Sequence, residues 1–228
     1  MDRPQPTDNT HSDPTTPSAG PGITALQCPD PRSGALHRVA MQTIQEVNGP
    51  VYWIDARNTA STYALSRMAP TDGVLDRIRI ARAFTAYQHF TLVERVINQV
   101  TPQTGFIVAP NLPSLYCDGD VPGHEANDMI EAAYKALATL GDSLGLPILV
   151  STVTDRFDDL ISTHATRTVE CIETGLGYRF EGETVQTHGY WYGGCWQTTI
   201  PYWVDLFGAG AASPATGDGR APALAVEG

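Results

Sequence analysis

Lysine is all but missing from this chain. Lys135 is the only one in 228 residues, and 14 basic side chains stand against 25 acidic ones, for a net charge of −11. That balance argues against a general polyanion-binding surface, because phosphate contacts draw on Lys and Arg. Scarce lysine with abundant Asp, Thr and Ala fits a salt-adapted, high-GC source, and simple compositional drift fits it too. Cysteine is equally sparse. Cys28, Cys117, Cys171 and Cys195 are scattered, with no C-x-x-C pair. They read as small buried or half-buried apolar groups, not as a zinc cage or a disulfide framework. No apolar run approaches the roughly 18 residues of a membrane span. A basic-then-apolar leader is also lacking, so the cytoplasm is the expected location and no membrane partner is expected.

What is present is an alternation of strand and helix signals. Residues 1–21 are rich in Pro, Thr, Asp and Ser, and residues 208–228 are low in complexity and rich in Gly and Ala. Neither segment can bury enough apolar surface to offset its ordering entropy, so both are expected to be disordered tails. The folded unit is expected over 22–207. Within it GITALQC (22–28), PVYWID (50–55), DRIRIARA (76–83), TGFIVAP (104–110) and PILVSTV (147–153) read as strands.

Helical stripes separate them: Leu36, Val39, Ala40, Ile44 and Val47; Phe90, Val93, Val96, Ile97 and Val100; Met129, Ile130, Ala133, Leu137 and Leu140. A short helix is expected over 60–68. The alternation predicts an α/β fold, a mostly parallel sheet covered by helices on both faces. After Thr166 the pattern changes. RTVECIET (167–174), GYRFEGETVQTH (177–188) and YWYGGCWQTTIPYWVDLF (190–207) read as short antiparallel strands closing one edge.

Between the first strand and the first helix lies CPDPRSGALHR (28–38), where a P-loop would carry G-x-x-x-x-G-K-[ST]. Pro29 stands at the first glycine and Gly34 at the second, while Ala35 and Leu36 replace the lysine and the hydroxyl residue. Pro29 and Pro31 carry no N–H, so fewer backbone donors remain to cradle a phosphate.

The order of elements and several strings resemble the RecA/RadA recombinase ATPase core, in the form of a short archaeal RadA-like paralogue. LDRIRIARAFTAYQHFTLVERV (75–96) is the most specific stretch, with VYWIDARNTAS (51–61), GFIVAPNLPSLY (105–116) and PILVSTV in support. The resemblance implies a RecA-like P-loop fold with antiparallel strands at its C-terminal edge. It also implies that the catalytic set is gone. The family's lysine corresponds to Ala35, its magnesium-binding hydroxyl to Leu36, its water-activating glutamate to Arg57, its Walker B aspartate to Ala109 or Pro110, and its polar sensor to Val153. Phosphoryl transfer needs the lysine, Mg²⁺ and a positioned water, each worth several kcal/mol (roughly 3 or more) in the transition state. The expectation is therefore a protein that is not an ATPase and carries neither ATP nor Mg²⁺ as cofactor. Arg32, Ser33 and Gly34 are what remains for an anion at the helix start.

The family's DNA-contacting loops correspond here to segments with Asp118, Asp120, Glu125 and Asp128, and with Asp155, Asp158 and Asp159 against Arg156 and Arg167. Acidic loops disfavour DNA. The remaining route to DNA is through Arg38, Arg57, Arg67, Arg77, Arg79 and Arg82. The family's Phe-x-x-Ala filament motif is absent, since no Phe precedes Phe84. LYCDGDVPGHE (115–125) gathers Cys117, Asp118, Asp120, His124 and Glu125 without a recognised ligand spacing, and reads as an acidic loop entering a helix. None of the six histidines has a G-x-S-x-G elbow or a cysteine-protease context to serve.

The stretch 187–207 holds Tyr190, Trp191, Tyr192, Trp196, Tyr202 and Trp203 around a Gly193-Gly194 turn. Such aromatic density suits a hairpin with one face on the core and the other toward a protein partner. The combined expectation is a non-catalytic RecA-like adaptor or regulator in DNA repair or recombination, binding a RecA-like recombinase or another repair factor. The alternatives are a nucleotide binder that does not hydrolyse and a DNA-binding paralogue.

Overall fold

The computed structural model describes residues 16–174, 177–182, 185–192 and 195–198. The strands are β1 (Gly22–Gln27), β2 (Val51–Ala56), β3 (Ile78–Ala83), β4 (Phe106–Ala109), β5 (Pro147–Thr152), β6 (Arg167–Thr174), β7 (Gly177–Gly182), β8 (Val185–Tyr192) and β9 (Cys195–Thr198). The helices are α1 (Gly34–Glu46), α2 (Thr62–Met68), α3 (Asp72–Leu75), α4 (Ala86–Gln99), α5 (Gly123–Leu144) and α6 (Asp158–His164), with a 3-10 helix over Leu112–Cys117.

Among the described residues the sheet order is β3-β2-β4-β5-β1-β6-β7-β8-β9. The first six strands of that order are parallel, and β7, β8 and β9 continue it antiparallel.

Each central strand is apolar on both faces, as a doubly covered parallel sheet requires. Val51 and Trp53 of β2, Val108 of β4 and Leu149 of β5 pack with Leu36, Val39 and Ile44 of α1 and Leu65 of α2. The alternate residues Tyr52, Ile54, Ile107, Ile148 and Val150 pack with Val93 of α4, Ile130 and Leu137 of α5 and Ile161 of α6. Side chains of a strand alternate between faces, so one sequence run supplies both cores. Helices α1, α2 and α3 therefore cover one face and α4, α5 and α6 the other.

The helix starts follow from capping. Ser33, Ser61 and Thr85 accept bonds from the N–H groups of Ala35, Ala64 and Gln88 at 3.3, 3.2 and 3.2 Å, satisfying donors that have no partner within the helix. Gly145 ends α5 at φ 60°, a conformation that glycine adopts without a Cβ penalty. The far end of α1 is held by Arg77, whose guanidinium donates to the carbonyls of Ile44 and Val47 at 2.9 Å and of Gly49 at 3.0 Å.

The expected alternation holds from β1 to β5, and one strand direction does not. RTVECIET was expected to pair antiparallel; β6 instead runs parallel to β1 from Thr24↔Arg167 to Gln27↔Glu170, and only β7 reverses. The cause is α6, a helix of 7 residues that supplies the crossover a parallel pair needs. Residues 177–188 also divide between two strands. At the other end the packed chain reaches back before Gly22: Ala19 is buried, and its N–H donates to the Thr43 hydroxyl at 2.8 Å. Residues 1–15 and 199–228, and with them Tyr202 and Trp203, lie outside the described residues.

Candidate functional site

The C-terminal ends of the parallel strands are where open α/β sheets take their ligands, above all where neighbouring strands send their chains to opposite faces. Here β1 leads to α1 on one face and its neighbour β5 leads to α6 on the other. The β1–α1 loop sits at that switch point. The Cys28 N–H extends the ladder to the Thr152 carbonyl at 3.0 Å. Asp30 then folds the loop: its carboxylate accepts from the Arg32 N–H at 2.7 Å and its carbonyl from the Ser33 N–H at 3.0 Å.

The start of α1 is already occupied. Ser33 caps Ala35, and the Gly34 N–H donates to the Tyr178 hydroxyl on β7 at 3.1 Å. A Cβ at Gly34 would stand 2.9 Å from that hydroxyl. The Arg38 guanidinium lies over the Tyr178 ring, 5.8 Å from its centroid. A phosphate needs these first N–H groups free, and the chain's own side chains use two of them. Of the three residues expected at an anion site, Ser33 and Gly34 are engaged in this way, and Arg32 is exposed.

Beside this loop, at the ends of β5, β1 and β6, opens a cavity of about 410 Å³. Asp158, Glu170 and Glu173 line it with Cys28 and Cys171, and among the described residues its lining contains no basic side chain. Val153, in the place of the resembled family's sensor, is on its wall. A carboxylate-lined cavity repels phosphate.

Farther along the edge, β2 ends in a polar knot. The Asp55 carboxylate is fully buried and accepts from the Thr59 N–H at 2.7 Å, the Thr59 hydroxyl at 2.6 Å, the Ala60 N–H at 3.2 Å and Arg82 Nε at 3.2 Å. Asp55 and Arg82 face each other in the β2–β3 register. The turn that follows is left-handed at Arg57 and Asn58, φ 63° and 58°. From it the Arg57 guanidinium reaches the Ser114 carbonyl at 3.1 Å and pairs with Asp118. After β4, Asn111 is buried and left-handed at φ 50°, and its N–H donates to the Ser151 hydroxyl at 2.8 Å. Of the positions expected for glutamate, aspartate and sensor, Arg57 is thus held by Ser114 and Asp118, Ala109 and Pro110 are buried at the end of β4, and Val153 lies on the cavity wall.

Two histidines prove to be interior. His37 Nε2 accepts from the Ser61 N–H at 3.0 Å, which fixes a neutral ring. Burial pushes its pKa below the usual imidazole value, while the Ser33 carbonyl and the Asp55 carboxylate pull the other way. His89 is fully buried with Nδ1 3.0 Å from the Tyr116 hydroxyl, and burial pushes its pKa down to about 4. Neither imidazole has a Ser hydroxyl or Cys thiol as its hydrogen-bond partner, so neither is placed to activate a nucleophile. Among the described residues no group of His, Cys, Asp and Glu could hold a metal ion. Asp118 is instead the partner of Arg57, and Glu125 lies in the first turn of α5.

The arginines considered for DNA each have a partner within the chain. Arg77 binds the end of α1, Arg79 lies on the Tyr52 ring, Arg67 on the Tyr63 ring and Arg38 on Tyr178, while Arg57 and Arg82 are ion-paired. Of the aromatic stretch, β8 and β9 pair with Trp191 opposite Trp196, Tyr190 opposite Gln197 and Tyr192 opposite Cys195. The intervening Gly193-Gly194 turn lies outside the described residues.

Residue type alone shows that no lysine, hydroxyl or carboxylate stands at Ala35, Leu36 and Arg57. It does not point to Tyr178, which reaches Gly34 across 144 positions. The Asp55–Arg82 pair was legible in the sequence, since aligning VYWIDA with IRIARA as parallel neighbours brings these residues opposite. Comparison with protein families and with curated proteins finds no match to this chain.

Proposed function

We propose that this chain is a RecA-like α/β domain without ATPase chemistry, which works by binding another protein as an adaptor or regulator in DNA repair or recombination. The observation that carries the first half is the closed start of α1. The Gly34 N–H is held by Tyr178, Ser33 caps Ala35, and no lysine or hydroxyl follows at 35 and 36. The placement of this loop at the β1–β5 switch point, with β4 next beyond β5, supports the RecA-like reading of the scaffold. The acidic cavity beside it and the internal use of the arginines weigh against phosphate-bearing ligands of either kind, nucleotide or DNA.

The second half rests on the antiparallel extension. β8 and β9 carry Tyr190, Trp191, Tyr192 and Trp196 at the end of the sheet farthest from β3, and Trp and Tyr are the residues that most often anchor protein interfaces. A RecA-like recombinase or another repair factor is the partner class that the resemblance implies.

Two measurements test this. Millimolar ATP with Mg²⁺ should leave the melting temperature unchanged, and a clear upward shift would overturn the nucleotide-free reading. Affinity purification of the tagged chain from its native host should recover a protein that survives nuclease treatment. That protein should be lost when Trp191 and Trp196 are both replaced by Ala. Recovery that depends on nucleic acid would overturn the protein-binding reading.

A further inference from the structure

Cys28 and Cys171 sit on neighbouring parallel strands, one step beyond the last registered pair of β1 and β6, Gln27↔Glu170. Cys28 still follows the ladder through its bond to the Thr152 carbonyl. Both residues are free and buried, both belong to one apolar cluster, and both line the cavity of about 410 Å³ at the ends of β5, β1 and β6. Directly paired residues of adjacent strands have Cα atoms roughly 4.8 Å apart, inside the window of roughly 4.4–6.8 Å that a disulfide spans. The cavity adds what a packed core withholds, which is room for the sulfur atoms to turn and a way in for a small reagent.

We propose that Cys28 and Cys171 are an oxidisable pair that closes to an intramolecular disulfide by exchange with a small-molecule disulfide. One cysteine gives up its proton and attacks the small disulfide. The S–S bond of the reagent breaks, one small thiol leaves, and a mixed disulfide remains on the protein. The second cysteine, deprotonated in turn, attacks the protein sulfur of that mixed disulfide and expels the second small thiol. Two S–H bonds of the protein are exchanged for one S–S bond, and the reagent takes up the two electrons and two protons as two thiols.

Closure fastens the first residue of the β1–α1 loop to the strand that leads into β7, and so to Tyr178 at the start of α1. Burial pushes both thiols up to about 12. The reaction is therefore slow at neutral pH and speeds up about tenfold per pH unit as thiolate forms. The same poorly stabilised thiolates make the finished disulfide hard to reduce.

The test uses the full chain, native, incubated with excess 2-hydroxyethyl disulfide, an uncharged reagent that the cavity carboxylates do not repel, between pH 7 and pH 9, then digested and mapped by mass. The expected product is a Cys28–Cys171 cross-linked peptide pair, lighter by two hydrogen atoms, forming about tenfold faster per pH unit. The melting temperature should rise by roughly 5–10 °C, because a long loop of the unfolded chain is closed. In Cys171→Ser, Cys28 should stop at the mixed disulfide with mercaptoethanol. Persistence of both thiols at pH 9 while Cys117 is modified would overturn the proposal, as would pairing of either with Cys117 or Cys195. Mapping on the wild-type chain reads these outcomes without depending on the folding of any variant.

Discussion

Arg57 and Asp118 form an ion pair across the edge of the sheet, between the left-handed turn after β2 and the residue that follows the 3-10 helix after β4. On the proposed RecA-like reading, a water-activating glutamate would stand at the position of Arg57. Here a cation closes the gap between the same two segments, aided by the Ser114 carbonyl. The two side chains are 42% and 38% exposed, so solvent screens the pair and Arg57→Ala should cost only about 0.5–1 kcal/mol in urea unfolding. Arg57→Glu sets two carboxylates side by side and should cost more than the alanine change. Its ATP hydrolysis should stay at background, because no lysine or metal ligand accompanies it; measurable turnover would contradict the loss of the whole site.

Tyr178→Phe removes the acceptor of the Gly34 N–H and nothing else of comparable size. A cap of this kind is worth about 1 kcal/mol, which a chemical denaturation curve resolves. The variant also frees one of the two engaged N–H groups that a phosphate would need, the other staying on Ser33. ATP with Mg²⁺ should still leave its melting temperature unchanged, because Ala35 and Leu36 offer no charge and no hydroxyl. If ATP raises the melting temperature of Tyr178→Phe but not of the wild type, the loop is a blocked nucleotide site and not a vacated one.

Asp55 is the central acceptor of the β2 turn. Asp55→Ala should destabilise the fold by roughly 2–4 kcal/mol, since it leaves Thr59 and Ala60 donors without partners in a buried place and unpairs Arg82. Arg82→Ala should cost only about 1 kcal/mol, because the carboxylate keeps its three other bonds and the guanidinium is 38% exposed. Equal losses from the two changes would show that the ion pair, and not the backbone bonds, holds the turn.

His89 ties stability to pH. Its folded pKa is about 4, against roughly 6.5 for an unfolded chain. Between these values the unfolded state binds the proton and the native state does not. Stability is therefore full above about pH 6.5 and declines as the pH falls toward 4, by up to about 1.4 kcal/mol per unit. His37, with its pKa also lowered, acts in the same direction. Unfolding of the wild type and of His89→Gln, followed from pH 7 to pH 5, should give a steeper loss for the wild type. Parallel slopes would remove His89 from this account.

Strands β1 to β5 and helices α1, α2, α4 and α5 were legible from their own residue patterns, while α3 and the 3-10 helix are too short to carry one. VYWI and PILV are apolar runs inside strands buried along almost their whole length, and α1, α4 and α5 carry apolar stripes. The direction of β6 was not legible. RTVECIET is buried on one face only, a pattern that either direction produces. The crossover that sets its direction, α6, is too short to show a stripe. The candidate site divides the same way. That Ala35, Leu36 and Arg57 carry no lysine, hydroxyl or carboxylate is read from residue types alone. The contacts at this edge, Tyr178 on Gly34 and Cys28 beside Cys171, join residues more than a hundred positions apart and appear only when the sheet is assembled.

Helix α1 is completed from its two ends by residues of very different age in synthesis. Arg77, which binds the carbonyls at its C-terminal end, follows it within 33 positions of Ile44. Tyr178, which closes its first turn, comes 144 positions after Gly34. A chain made from its N-terminus therefore carries α1 with an open leading turn until β6 and β7 have emerged and docked. The last strands of the sheet finish the first helix, and a chain cut short before Tyr178 would lack the group that closes that turn.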